Sequence, residues 1–179
     1  MNKSPNYKII VHRDGRKEWR LNGKQHRENG LPAMVWPNGT KEWIVNGELH
    51  REGDLPAIER ADGSKFWFYN GKMHREGGPA AVYYDGSKHW FVKGTLHRED
   101  GPAIDQADGT KMWYLHGLKH REGGPAVEWP DGTMEWYLNG KLHREDGPAL
   151  EYANGEGYYW LNGESYSEEE FLKKSKNHR

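Results

Sequence analysis

Apolar and polar positions alternate over short runs of this chain, and the whole alternating pattern returns every 23 or 24 residues. Its clearest copy is Trp136-Tyr-Leu-Asn-Gly-Lys-Leu-His143-Arg-Glu-Asp-Gly-Pro-Ala149. His-Arg-Glu begins at His26, His50, His74, His97, His120 and His143, and a tryptophan stands seven residues before each: Trp19, Trp43, Trp67, Trp90, Trp113 and Trp136. A fixed period of this length marks a repeat protein, in which one supersecondary unit stacks on copies of itself.

Two turn signals punctuate each unit. The first is Asn-Gly or a close relative, as at Asn46-Gly47, Lys93-Gly94 and His116-Gly117. The second is Asp-Gly or Asn-Gly, as at Asn38-Gly39, Asp62-Gly63 and Asp131-Gly132. Both dipeptides accept the positive φ of two-residue type I′ hairpins, so the sequence predicts a continuous antiparallel meander. The prolines at 32, 56, 79, 102, 125 and 148 lack an amide proton and should break or bulge the second strand.

A two-residue turn fixes which residues lie opposite one another. With Asn46-Gly47 as the turn, Val45 faces Glu48, Ile44 faces Leu49 and Trp43 faces His50. Continuing the count sets Lys17 against Glu28, Lys41 against Glu52, Lys65 against Glu76, Lys88 against Glu99 and Lys111 against Glu122. Such cross-strand pairs stabilise a ladder by roughly 0.2–1 kcal/mol each. The count places Trp, His, Lys and Glu on one face and the arginines, with two varying positions, on the other. One varying position reads Arg20, Ile44, Phe68, Phe91, Tyr114, Tyr137 and Trp160; the other reads Glu18, Glu42, Phe66, His89, Met112 and Glu135.

Residues that never change between repeats are explained by stacking, and those that change are free to serve a partner. Glu18, Glu42 and Glu135 fall opposite Arg27, Arg51 and Arg144, whereas Arg75, Arg98 and Arg121 fall opposite Phe66, His89 and Met112. The middle arginines, with Phe68, Phe91, Tyr114 and Tyr137 beside them, make an expected strip of rings and cations. That strip is the candidate binding surface, because exposed apolar strips with cations attract planar, anionic or peptide partners.

At the ends the pattern changes. Tyr7–Arg13 reads as a strand ending at Asp14-Gly15, after a loose Met1–Asn6. Ser167 and Glu170 have capping-box spacing, Tyr166 and Phe171 that of a hydrophobic staple, and lysines follow. A short capping helix with a basic tail is therefore expected over 167–179, closing a repeat array that fills 1–166. No matching cap precedes the first strand, and that bare edge is the expected place for a second copy to pair.

Composition narrows the chemistry. Nine Trp, ten Tyr and four Phe supply a core that 34% hydrophobic content alone would not. Basic and acidic residues nearly balance, 26 against 27, which argues against bulk binding to nucleic acid. The absence of cysteine removes disulfides and thiolate chemistry. No apolar run has membrane-span length and Met1–Asn6 has no signal-peptide core, so a cytoplasmic location is expected. Equivalent histidines should lie about 9.6 Å apart, two strand spacings, too far to share a metal. Each is expected instead to pack on its tryptophan and bond a neighbouring backbone group. No catalytic constellation, metal site or cofactor site can be assembled.

The period, with aromatic-x-x-Asn-Gly-Lys-x-His followed by Asp-Gly, resembles the MORN repeat family from about Tyr7 to Gly163. Arg-Glu-x-Gly-Pro-Ala replaces that family's usual Gly-x-Gly after the histidine, so the resemblance is to a divergent variant. It implies an all-β, antiparallel β-hairpin repeat array of about six and a half units acting as a scaffold or docking surface. Chains of such units with a short helical end are also similar to proteins of phages and large viruses, which implies a role at host machinery. The expected function is non-enzymatic docking of a protein partner; the alternative is binding of a small nucleotide or sugar, with a homodimer as one setting for it.

Overall fold

The computed structural model describes residues 7–176. The loose start expected over Met1–Asn6 and the basic tail over 177–179 lie outside them. The fold is all-β, an antiparallel array of hairpins ending in one short helix. The chain divides into two compact units, Met1–Gly94 and Thr95–Arg179.

In the first unit, Lys8–Val11, Lys17–Leu21, Met34–Val35, Lys41–Glu42, Ile58–Glu59, Lys65–Phe66, Ala81–Val82 and Lys88–His89 pair antiparallel in chain order. In the second the order is Ile104–Asp105, Lys111–Met112, Val127–Glu128, Met134–Glu135, Leu150–Glu151, Gly157–Leu161 and Glu164–Tyr166. From these ladders shorter hairpins branch, such as Ile44–Val45 with Glu48–Leu49 and Tyr137–Leu138 with Lys141–Leu142.

The branch hairpins carry the expected type I′ turns. Asn46 and Gly47 have φ of 53° and 91°, and even His116 takes 51°, because a two-residue bend matched to strand twist needs both positive values. Ile44 pairs with Leu49 and Val45 with Glu48, in the expected register. The second turn is different from the expected two-residue bend. Gly63 donates to the Arg60 carbonyl at 3.1 Å and Arg60 to the Ser64 carbonyl at 2.9 Å, closing a three-residue loop in which only the glycine has positive φ, 93°. This is a type I turn with a glycine bulge. The Asp62 carboxylate reinforces it by accepting the Ser64 amide at 2.8 Å.

The register beyond tryptophan also departs from the count. Trp43 accepts the His50 amide at its carbonyl, 3.0 Å, yet gives its own amide to the Ala57 carbonyl, 2.8 Å. The strand changes partner in this way at Trp19, Trp43, Trp67, Trp113 and Trp136, and His-Arg-Glu-x-Gly-Pro leaves the ladder as a loop. Lys41 pairs with Val35 and Glu59, and the expected Lys–Glu pairs do not form. Glu52 takes the imidazole of His50 instead, at 2.9 Å.

The same departure moves the arginines. Alternation of faces holds only while a ladder continues, so after the histidine the arginine turns back over the tryptophan of its own repeat. Its guanidinium carbon lies 3.6–4.0 Å from the indole centroid at Arg27–Trp19, Arg51–Trp43, Arg75–Trp67, Arg121–Trp113 and Arg144–Trp136. Each of the six arginines also donates to the carbonyl of the following proline, at 2.9–3.4 Å. The alanine of each Pro-Ala pair is wholly buried. Histidine completes the unit: His50 Nδ1 accepts the Asn70 amide of the next turn at 3.1 Å, and the other five histidines do the same at 3.0–3.3 Å.

The helix runs over Glu168–Lys176. Ser167 and Glu170 exchange the two hydrogen bonds of a capping box, at 2.9 and 3.3 Å. Phe171, 2% exposed, packs on Tyr159 of the last hairpin at 4.8 Å.

Candidate functional site

With tryptophan, arginine, histidine and alanine committed to one side of each unit, the other side is built from side chains that vary along the array. Cross-strand partners define a row along it. In the first unit the row runs Glu18, Met34, Glu42, Ile58, Phe66, Ala81 and His89. In the second it runs Ile104, Met112, Val127, Glu135, Leu150 and Tyr158. Phe68, Phe91, Tyr114, Tyr137 and Trp160 flank these rows from the branch hairpins, and the residue before each Asp-Gly loop flanks them from the opposite end.

In the first unit the rings touch. Phe66 meets Tyr83 edge-on at 5.4 Å, Tyr83 meets His89 at 4.9 Å, and His89 meets Phe91 at 6.5 Å. Phe66 is buried, while Phe68, His89 and Phe91 are half-buried. Burial holds the His89 imidazole below its usual pKa of 6.5, with Asp85 pulling weakly the other way. The unfolded ring therefore binds a proton at a higher pH than the folded ring. Stability from His89 is complete above its unfolded pKa and declines as pH falls through the lowered folded value. Melting temperatures taken near pH 7.5 and near pH 5.5 should drop less for His89→Phe than for the parent chain, and an equal drop would remove His89 as the cause.

In the second unit Met112, Tyr114 and Tyr137 are half-buried on this face. A groove of about 400 Å³ opens among Trp129, Glu135, Tyr137, Leu142, Leu150 and Tyr152, with Asp131 and Thr133 at its rim. Glu135 organises it. The carboxylate accepts the Trp129 indole proton at 2.7 Å, and the Lys119 ammonium lies 3.7 Å away. Burial and then the Glu135 carboxylate push the Tyr137 phenol up to about 12, so it stays protonated. Tyr152 and Tyr158 continue the ring surface edge-on at 5.9 Å, both exposed.

Of the expected site residues, the structure links Phe66, His89 and Phe91 through Tyr83 in the first unit, with Phe68 in a branch hairpin opposite Met73, and sets Met112, Tyr114 and Tyr137 half-buried in the second. Arg75, Arg98 and Arg121 do not join them. Arg75 stacks on Trp67 and makes a two-point contact with Asp54 at 2.8 and 2.9 Å. Arg98 binds Asp100 at 2.8 Å, and Arg121 binds Glu128 at 2.7 Å. The middle arginines thus have acids, supplied by the loops and by the strand after Pro-Ala. Nor do Glu18, Glu42 and Glu135 pair with Arg27, Arg51 and Arg144: Glu18 binds Arg20 and His12, while Glu42 takes the Trp36 indole. Tyr83, Trp129 and Tyr152 lie beside these residues without having been expected there. Their signal is the residue before each Asp-Gly loop, which varies as freely as the others: Trp36, Arg60, Tyr83, Gln106, Trp129 and Tyr152.

Among the described residues no group of three or more His, Cys, Asp or Glu side chains is placed to hold a metal ion. No helix among them is long and apolar enough to cross a membrane. Compared with protein-family models and with curated proteins, the chain matches none.

Proposed function

We propose that the chain is a non-enzymatic docking protein that carries a protein partner on the ring-lined face of its hairpin array. One observation carries this reading: side chains on the tryptophan face repeat, whereas those on the opposite face vary along the array, and there Phe68, His89, Phe91, Met112, Tyr114 and Tyr137 are only half-buried. A surface whose side chains the repeat does not fix, rich in half-buried rings, is suited to a partner. The resemblance to MORN repeats agrees, because that family supplies scaffolds and carries no catalytic residues to transfer.

The test is native mass spectrometry of chain purified directly from its source cells. A specific polypeptide should co-purify with the parent chain and with Tyr84→Ser, whose ring is 75% exposed in a loop. It should be lost with Phe91→Ser and with Tyr114→Ser, each shown to melt cooperatively. Retention through both variants would overturn the assignment, and a bound nucleotide or sugar mass in place of a polypeptide would favour small-ligand binding. The same spectrum reads dimerisation, which we place at the Lys8–Val11 edge strand, where Ile9 and Val11 are 57% and 64% exposed. A single-copy mass at every concentration would reject it.

A further inference from the structure

The same short unit occurs twice on the ring-lined face, with a guanidinium of the chain over the indole in the first copy and, in the second, a lysine ammonium beside the glutamate and over Tyr137. Trp36-Pro37-Asn38-Gly39-Thr40 and Trp129-Pro130-Asp131-Gly132-Thr133 each lead to a glutamate, Glu42 and Glu135. In both, the indole N–H donates to that glutamate, at 3.2 Å from Trp36 and 2.7 Å from Trp129. Over Trp36 lies the Arg16 guanidinium, its carbon 5.1 Å from the ring. Arg16 directly follows Asp14-Gly15 of the preceding turn, and the residue following the corresponding Asp108-Gly109 is Thr110. Thr110 is 3% exposed and carries no charge. On the other flank, the residue before the next turn is Arg60 in the first copy and Tyr152 in the second.

The second copy has therefore kept the indole and its glutamate, exchanged both flanking arginines for neutral residues, and gained an acid where Asn38 becomes Asp131. What remains is an open groove with a ring 37% exposed on one wall, Trp129, and one 41% exposed on the other, Tyr152. The nearby Lys119 ammonium is already engaged, 4.6 Å from the Tyr137 centroid and 3.7 Å from Glu135. Two carboxylates with exposed ring faces repel anions and attract a flat cation.

We propose that this groove receives an arginine side chain of the docked partner, its guanidinium stacked on Trp129 and its N–H groups shared between the Glu135 and Asp131 carboxylates. The inference rests on the docking reading above and names the partner's chemistry at that surface. A guanidinium suits the site better than an ammonium because it is planar, weakly hydrated and presents its donors in the plane that faces the two acids. At Trp36 the chain shows the ring half of this contact, with the Arg16 guanidinium carbon 5.1 Å from the indole.

The experiment follows the Trp129 indole N–H of the full chain by NMR, assigned with Trp129→Phe, during addition of acetyl-Gly-Arg-Gly-amide. A saturable shift is expected, with weaker binding of the lysine peptide and none of the uncharged citrulline peptide. Glu135→Gln keeps an acceptor for the indole, and Asp131→Asn installs the residue that Asn38 already provides, so both should fold. Each should weaken binding by roughly tenfold, the loss of one charge-assisted bond. No shift with the arginine peptide, an equal shift with citrulline, or unchanged binding by both variants would overturn the inference. If the arginine peptide leaves Trp129 unmoved while a polypeptide is still lost with Tyr114→Ser, docking stands and the arginine site falls. If the peptide binds and no polypeptide is ever captured, the groove assignment stands and docking falls.

Discussion

Trp67→Ala should lower the stability of the chain by about 3–5 kcal/mol, the cost usual for removing a large buried ring. Trp67 is 8% exposed, with its indole N–H bonded to the Asp54 carbonyl at 3.0 Å and the Arg75 guanidinium over its face at 4.0 Å. The Trp67 amide donates to the carbonyl of Ala80, which is wholly buried, at 2.8 Å. The arginine loses the ring it stacks on and the Asp54 carbonyl loses its donor together. Trp67→Phe keeps most of the ring area and gives up one hydrogen bond, and should cost about 1 kcal/mol. Urea unfolding at constant pH measures both. A loss below about 1 kcal/mol for the alanine variant would show that the core does not sit under the indole.

His50→Ala should cost about 2–3 kcal/mol, through a different route. The imidazole is 8% exposed, accepts the Asn70 amide at 3.1 Å and packs on Tyr69 at 4.8 Å. Its loss leaves the amide of a tight turn without that acceptor and opens the contact between one repeat and the next. His50→Asn places an oxygen at the same bond distance from the backbone as Nδ1 and should recover about 1 kcal/mol of the loss. Hydrogen exchange at the Asn70 amide separates this from a general weakening. Exchange there should quicken in the alanine variant and slow again in the asparagine variant, whereas equal protection in both would mean that the histidine only fills space.

The branch hairpins were legible because Asn-Gly fixes both the bend and the register, and Ile44 does stand across from Leu49. Variation between repeats was a poorer guide, since Glu18, Ile44 and Phe66, all at varying positions, are buried. Two features escaped. Asp62-Gly63 looks like the dipeptide of a two-residue bend, but the Asp62 carboxylate holds the Ser64 amide and draws Ala61 into a three-residue loop. The change of partner at Trp43 has no local signal either: its amide reaches Ala57, on the far side of a proline loop. Once that exchange is missed, counting onward sends Arg75 to the wrong face and hides Tyr83 and Trp129 from the site. The capping box at Ser167, by contrast, depends on four consecutive residues and formed as read.

The loop between histidine and proline is where the chain has absorbed a length change. Gly30-Leu31-Pro32 and Asp54-Leu55-Pro56 are one residue longer than the corresponding Gly77-Gly78-Pro79. Yet Arg27, Arg51 and Arg75 all reach the proline carbonyl, at 3.2, 3.0 and 3.4 Å. The arginine clamp thus acts as a slack adjuster that isolates each ladder from small insertions upstream. Genetic duplication or excision of a whole unit would join like to like at these points. Such an array can change its span by unequal recombination, presenting a longer or shorter row of rings without remaking a single turn.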